Sequence, residues 1–221
     1  MRIVPRPRQI EGTPNRRTLL GWICGGIIGA LALAWLPASG QAGQADAAGI
    51  FLMSLTDRAI FELADESVPI ADRKQRFRRL FKDGFDIPAI GRFVIGRYWR
   101  SADKTARAKF LAVFEDVMVD RFAPQFAGYA GTKFKIGVIR EVKEGDQVMV
   151  SSTVAPPNSE VVQVDWRLRH RDDQFMVLDV VAQGVSMALT LRSEYGSVLK
   201  NSGGKINTLI ALLRERTAKA G

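Results

Sequence analysis

Val162-Gln163-Val164-Asp165-Trp166-Arg167-Leu168-Arg169 alternates apolar and polar side chains over eight residues. A strand sends successive side chains to opposite faces. Val162, Val164, Trp166 and Leu168 therefore make one unbroken apolar face, and Gln163, Asp165, Arg167 and Arg169 turn to water. A sheet with one such face needs a cover, and amphipathic helices supply it. Phe175 to Val181 is a neighbouring strand with less clean alternation. Ala182-Gln183-Gly184-Val185-Ser186-Met187 then leads into a helix that carries Ser193-Glu194-Tyr195. Upstream, Lys133-Phe134-Lys135-Ile136-Gly137-Val138 and Val148-Met149-Val150-Ser151 alternate in the same way.

The connections consist of turn residues: Glu144-Gly145-Asp146, Pro156-Pro157-Asn158-Ser159 and Arg171-Asp172-Asp173. Links this short imply antiparallel pairing, because parallel strands need long crossovers. The result is a four-stranded antiparallel meander.

Helical spacing fills the rest of the chain. Phe51, Leu52, Leu55, Ala59, Leu63 and Ala64 predict a helix over residues 49–66, broken at Val68-Pro69. A second helix over 71–83 carries Phe77, Leu80 and Phe81, ringed by Arg73, Lys74, Arg76, Arg78, Arg79 and Lys82, with Gly84 as its stop. Asp86 is positioned to cap a third helix with Pro88 in its first turn, ending near Gly96. Ser101 is expected to cap a long helix over 102–127, which Pro124 ends or kinks. Two more, over 185–201 and 205–217, are separated by Ser202-Gly203-Gly204. The fold class is α+β, with helices packed on one face of a curved four-stranded antiparallel sheet.

Residues 1–47 read as an address. Arg2, Arg6, Arg8, Arg16 and Arg17 precede an apolar run from Thr18 to Ala38, and Ala45-Asp46-Ala47 offers an A-x-A cleavage site. Asn15-Arg16-Arg17-Thr18-Leu19-Leu20 resembles a twin-arginine signal, and the general export route is the alternative. An uncleaved anchor is a third reading, since roughly 20 apolar residues span a bilayer. Cys24 lies inside the apolar run, so a cleaved protein contains no cysteine and does no thiol chemistry. Removing 1–47 takes away five arginines and two acids from a net +9, leaving about +6. That density is too low for a nucleic-acid partner and suits anionic lipid headgroups or an acidic partner in the cell envelope. Residues 48–221 suffice for one domain with a real core.

Catalytic machinery is sparse. His170 is the single histidine and sits between Arg169 and Arg171, a poor place for a base or ligand. Zinc lacks a ligand set, and no phosphate loop or dinucleotide fingerprint is present, so no catalytic residue, metal or cofactor is assigned. Asp165 and Asp179 remain as strand carboxylates that would matter only as a buried titratable pair. An exposed pair between Asp165 and Arg167 is the simpler expectation.

The aromatic residues of the helical half admit two readings, a filled core or the walls of a cavity. Phe81, Phe85, Phe93, Tyr98 and Trp99 come from the second and third helices and the turn after them. Phe110, Phe114 and Phe122 line up with Val117 and Met118 on the long helix, and Phe126 follows.

Separated motifs in order carry a resemblance. Phe85-Asp86-Ile87-Pro88-Ala89-Ile90-Gly91-Arg92-Phe93-Val94-Ile95-Gly96-Arg97-Tyr98-Trp99-Arg100 is one. Val164-Asp165-Trp166-Arg167 is another, and Gly184-Val185-Ser186-Met187 with Thr190 and Glu194 is the third. Together they resemble the MlaC/toluene-tolerance family of periplasmic phospholipid-binding proteins over about residues 49–217. Hopanoid-associated proteins resemble the same family, and the chain fits that branch as well. Gln183 departs from the Glu that often precedes the Gly-Val-Ser-Met run.

The resemblance implies an NTF2-like cone with an apolar cavity and a soluble periplasmic shuttle. Its partners would be phospholipid, an inner-membrane MCE-domain transporter with an ABC ATPase, and an outer-membrane lipoprotein complex. Expected lining from the helices is Phe81, Phe85, Ile90, Phe93, Val94, Tyr98 and Trp99, with Phe110, Phe114, Val117, Met118 and Phe122. The sheet and its exit add Val164, Trp166, Val185 and Met187. Residues 84–99 are expected to form the mouth, with Arg76, Arg79, Arg97 and Arg100 as a cationic rim for the phosphate or a partner. Alternatives are a small enzyme acting on lipid precursors on the same fold, and an anchored accessory that scaffolds lipid synthesis.

Overall fold

The computed structural model describes residues 39–142, 147–157 and 159–220. The basic leader, the twin-arginine pattern, the apolar run with Cys24, the Glu144-Gly145-Asp146 turn and Asn158 lie outside the described residues.

The alternating segments form the expected meander. β1 (Lys133–Val142), β2 (Gln147–Ala155), β3 (Val162–Arg171) and β4 (Gln174–Ala182) pair antiparallel in chain order. A fifth strand, β5 (Val185–Ser186), is added beside β4. Two residues are too few to show a period, so β5 left no trace in the pattern. Asp172 and Asp173, at φ 50 and 58, make the tight β3–β4 hairpin. Between β3 and β4 the register slips, so that Arg167 opposes Asp179, Leu168 opposes Val177, and Leu178 is left as a bulge.

The inner face packs Val148, Val150, Leu168, Phe175 and Val177 against Leu52, Leu55, Leu63 and Leu80. Those leucines belong to α1 (Ser39–Leu63) and α2 (Ile70–Gly84). α1 starts ten residues before its apolar period, running through Ala45-Asp46-Ala47, because an Ala-rich stretch favours helix without any stripe to reveal it. It stops at Leu63, short of residue 66, where the last carbonyls meet arginines from α2. Arg73, 5% exposed, donates to the carbonyls of Leu63 (2.9 Å) and Asp65 (2.7 Å), and Arg76 donates to that of Glu62 (3.0 Å).

Gly84 is the last residue of α2 rather than a left-handed stop beyond it. The break comes at Phe85, which turns extended and bridges Val177, while the Asp86 N–H donates to the Val177 carbonyl at 3.0 Å. Glycine is needed at 84 for approach: a Cβ there would lie 2.7 Å from two Leu55 methyls.

α3 (Ile87–Ile95) is capped as expected, with Asp86 Oδ1 accepting from the Ala89 N–H at 2.9 Å and Gly96 ending it at φ 54. α4 (Tyr98–Ser101) is a single turn, so Ser101 does not cap the long helix. Asp103 does, accepting from the Ala106 N–H at 2.7 Å, and α5 runs over Lys104–Phe122. Pro124 then falls in a 3₁₀ turn, Ala123–Phe126. α6 (Met187–Asn201) and α7 (Ile206–Ala220) close the chain.

Helices α3, α5, α6 and α7 build a second apolar cluster around Phe110, Phe114, Leu191, Tyr195 and Leu209. Phe77 and Phe85 touch both clusters, placing the seam between them. Lys74–Asp120 (3.0 Å), Arg78–Glu115 (2.7 Å) and Lys82–Glu115 (3.1 Å) tie α2 to α5 along that seam.

The outer sheet face is less uniform than alternation implies. Arg167 is exposed, but Arg169 is partly buried and pairs with Asp86. Asp165 forms no pair with Arg167 among the described residues, and its Oδ1 is buried without a hydrogen-bond partner.

Candidate functional site

The seam between the two clusters holds two partly open apolar chambers. The first, about 200 Å³, lies between α3, α5, α6 and β4. Ile90, Phe114, Met118, Phe122, Met187 and Leu191 are among its walls. The second, about 310 Å³, lies between α1, α2 and the inner sheet face, walled by Leu55, Ala59, Ile60, Leu63, Val164 and Ala182 among others. Both are lined by Phe77, Phe81, Phe85, Phe126, Trp166 and Val180, so the chambers are separated only by this shared, mostly aromatic partition.

The partition is a chain of ring contacts, one stacked and two tilted. Phe77 lies 5.9 Å from Phe81 and 5.8 Å from Phe126, and Phe81 lies 4.9 Å from Phe85, centroid to centroid. Trp166 keeps its indole body toward the chambers because its polar tip is satisfied elsewhere. Its Nε1–H donates to Ser152 Oγ at 2.9 Å, and that hydroxyl donates to the Val164 carbonyl at 2.9 Å. Ser152 is thereby the explanation of its own burial.

Polar atoms at the walls are mostly committed too. Thr56 Oγ1 donates to the Leu52 carbonyl at 2.9 Å, leaving its methyl for the chamber. Asp179 borders the first chamber, but its carboxylate caps α6, accepting from Ser186 Oγ (2.5 Å) and from the Ala188 N–H (2.9 Å). Thr132 Oγ1, at the end of the second chamber near half-exposed Tyr129, is buried without a partner. Asp165 lines neither chamber; it opposes Val181, with Asp179 its diagonal neighbour across β3 and β4, so the two strand carboxylates are not set as a pair into either chamber. Among the described residues, no cluster of three His, Cys, Asp or Glu side chains is placed to hold a metal.

Of the expected lining residues, Phe81, Phe85, Ile90, Phe114, Met118, Phe122, Val164, Trp166 and Met187 border a chamber. Seven do not. Val94 and Phe110 are fully packed in the second cluster, Phe110 edge-on to Tyr195, and Val117 packs against its margin. Burial also pushes the Tyr195 phenol above its ordinary value. Tyr98 lies under Gly204. Phe93 is 41% exposed beneath the Arg192 guanidinium, and Trp99 lies beneath that of Arg107. Both face a surface groove on the far side of α3. Val185, 63% exposed, points outward from β5.

None of the expected rim arginines borders a chamber. Arg76 is spent on the end of α1, Arg97 donates to the Tyr98 hydroxyl at 3.0 Å, and Arg79 and Arg100 stand in solvent. The contribution of α1 was missed, because Leu55, Ala59 and Leu63 have the spacing of any core helix.

A helix-covered antiparallel sheet with a divided apolar cavity is the architecture of a binding protein. The chain belongs to the MlaC protein family, whose profile matches residues 54–215. It is 23% identical over 132 residues to the intermembrane phospholipid transport system binding protein MlaC of Haemophilus influenzae, covering 58% of this chain and 61% of that relative's length. Its fold is similar to that of the phospholipid-binding protein from Ralstonia solanacearum solved in complex with a phospholipid. That likeness has a TM-score of 0.70 at 19% identity and covers 77% of this chain and 97% of the other.

Proposed function

We propose that the chain is a periplasmic phospholipid carrier that shelters acyl chains in the two chambers and moves lipid between membrane-bound complexes. The observation that carries this is the pair of adjoining apolar chambers whose neighbouring polar groups are nearly all bonded elsewhere. A phospholipid tail needs such a shelter. Each CH₂ kept from water is worth about 0.8 kcal/mol, so a sixteen-carbon tail represents roughly 13 kcal/mol and does not cross water unaided. The printed function of the Haemophilus relative and the ligand of the Ralstonia protein support the same reading.

The domain from 48 to 221 is the carrier, preceded by a cleaved export signal over 1–47. Among the described residues, no helix is long and apolar enough to cross a membrane. An inner-membrane MCE-domain/ABC transporter and an outer-membrane lipoprotein complex are the proposed partners. The protein acts without catalysis: Asp179 is committed as a cap and Asp165 stands apart from the chambers.

The test is detergent-free purification followed by extraction and mass spectrometry, with uptake from phospholipid vesicles as the second readout. Co-purifying phospholipid near one per chain is expected. Protein that carries no lipid and takes none from vesicles would end the carrier reading.

A further inference from the structure

The first chamber is backed by a groove of about 470 Å³ on the other side of α3. Ile90, Leu178, Asp179 and Ala188 border both, so four side chains separate the groove from the chamber. The β4 bulge is what puts Leu178 there: an unopposed residue leaves the pleat and is re-aimed. The groove itself is net cationic, with four arginines against the carboxylates of Asp86 and Asp179. Arg167, Arg169 and Arg171 project from β3, and Arg92 reaches in from the last turn of α3. Arg169 is paired with Asp86, and Arg171 has Asp172 at 3.3 Å. Arg92 and Arg167 have no ion pair among the described residues and are exposed. The Nε of Arg169 is buried with no hydrogen-bond partner. Trp99 and Phe93 complete the rim with apolar surface.

A divided site of this kind matches one ligand geometry: an anionic phosphate ester joined to an apolar tail. We infer that the groove holds the phosphate of a bound phospholipid through Arg92 and Arg167, supported by Arg169. The tail passes between α3 and β4, past Ile90 and Leu178, into the first chamber and on toward the second. This rests on the carrier reading and moves the cationic rim from Arg76, Arg79, Arg97 and Arg100 to the outer sheet face. Residues 84–99 then do border the mouth, through Asp86, Ala89, Arg92 and Trp99.

The experiment offers the full chain vesicles containing phosphatidylglycerol, phosphatidylcholine or diacylglycerol, and measures bound lipid by mass spectrometry after re-isolation. The wild type is compared with Arg92→Gln/Arg167→Gln, with Arg92→Glu/Arg167→Glu, and with Arg214→Glu on α7 as a charge control. Thermal unfolding confirms that each variant folds; the glutamine pair keeps the test alive if the glutamate pair does not. The expected result is a loss of phospholipid uptake of at least about tenfold in the glutamine pair, from two lost charge-assisted contacts. Diacylglycerol uptake, which needs no phosphate contact, stays at the wild-type level, and Arg214→Glu behaves as wild type.

Unchanged phospholipid uptake in both pairs would overturn the assignment and return these arginines to an acidic protein partner. A parallel fall in diacylglycerol would also overturn it, by showing damage to the chamber. Inorganic phosphate that binds Arg92 and Arg167 yet leaves phospholipid uptake untouched would assign the groove to a free anion instead, and overturn it too. If the wild type takes up none of the lipids, the carrier reading itself falls and takes this inference with it.

Discussion

Ala59→Phe separates a lipid chamber from an ordinary core by the sign of one measurement. Ala59 lies on α1 and borders the second chamber, about 310 Å³. If a methylene takes about 30 Å³, a water molecule's share of the liquid, the chamber has room for about ten. The added six-carbon ring removes room for about three of them, worth roughly 2.5 kcal/mol at about 0.8 kcal/mol each. Uptake of a sixteen-carbon phospholipid should therefore weaken by roughly fiftyfold. The ring meanwhile buries its own apolar surface, which more than offsets about 0.5 kcal/mol of lost helix propensity. Lipid-free protein should be unchanged or more stable by up to about 1 kcal/mol. Were the site close-packed, the same ring would cost about 1–3 kcal/mol by overpacking. Urea unfolding of delipidated protein and vesicle uptake read the two quantities. A destabilised variant that still loads lipid normally would refute the reasoning.

Gly84→Ala should destabilise the protein by about 1–3 kcal/mol, because its Cβ would meet two Leu55 methyls at 2.7 Å; Leu55→Ala should recover part of that loss in a urea double-mutant cycle. Asp179→Ala removes the acceptor for the Ala188 N–H and should cost about 0.5–2 kcal/mol, with faster amide exchange at the start of α6. Tyr195 has its pKa raised by burial, so its stabilising contribution is fully present below the unfolded tyrosine value of about 10 and falls as pH rises above it, because the unfolded chain ionises first. Tyr195→Phe deletes a hydroxyl buried without a partner, so at pH 7 it should be neutral or stabilising by up to about 1 kcal/mol. Above pH 10 its stability should fall less steeply than that of the wild type, as followed by chemical denaturation.

The sheet was legible because β3 reports its own two faces, and the caps of α3 were legible because Asp86 and Pro88 are local chemistry. What failed was tertiary. Phe110, Phe114, Met118 and Phe122 share one stripe at four-residue steps, yet Phe114, Met118 and Phe122 border the chamber while Phe110 is closed into the second cluster. No property of the stripe distinguishes them, and Tyr195 lies edge-on to both Phe110 and Phe114; only the tertiary packing around them decides. Ser101 and Asp103 are both good caps, and the choice fell to Asp103 because Ser101 is absorbed into α4. The arginines followed the same logic. The run on α2 looked like a solvated or ligand-facing rim, but helix α1 ends beside it and takes Arg73 and Arg76 for its carbonyls. The cations beside the chamber wall come mostly from β3, where alternation had already turned them outward, with Arg92 of α3 beside them.

A carrier of the proposed kind must release what it holds, and the dimensions of the site bear on how. Counted as before, the chambers offer about seven and about ten methylene positions, close to one sixteen-carbon tail. A tail leaving a bilayer for such a chamber exchanges one apolar surrounding for another, so the roughly 13 kcal/mol that separates it from water is nearly cancelled in the transfer. Filling with one tail would leave the second tail of a phospholipid at a disadvantage unless the partition yields. That partition is made of four phenylalanine rings, one tryptophan and Val180, and its phenylalanines open space by turning about χ angles rather than by breaking hydrogen bonds. The exception, the Trp166 Nε1–H on Ser152 Oγ, anchors one side and lets the phenylalanines of α2 move against it. Small net transfer energy, a wall that yields, and a headgroup contact in partly solvated surroundings together favour exchange over storage.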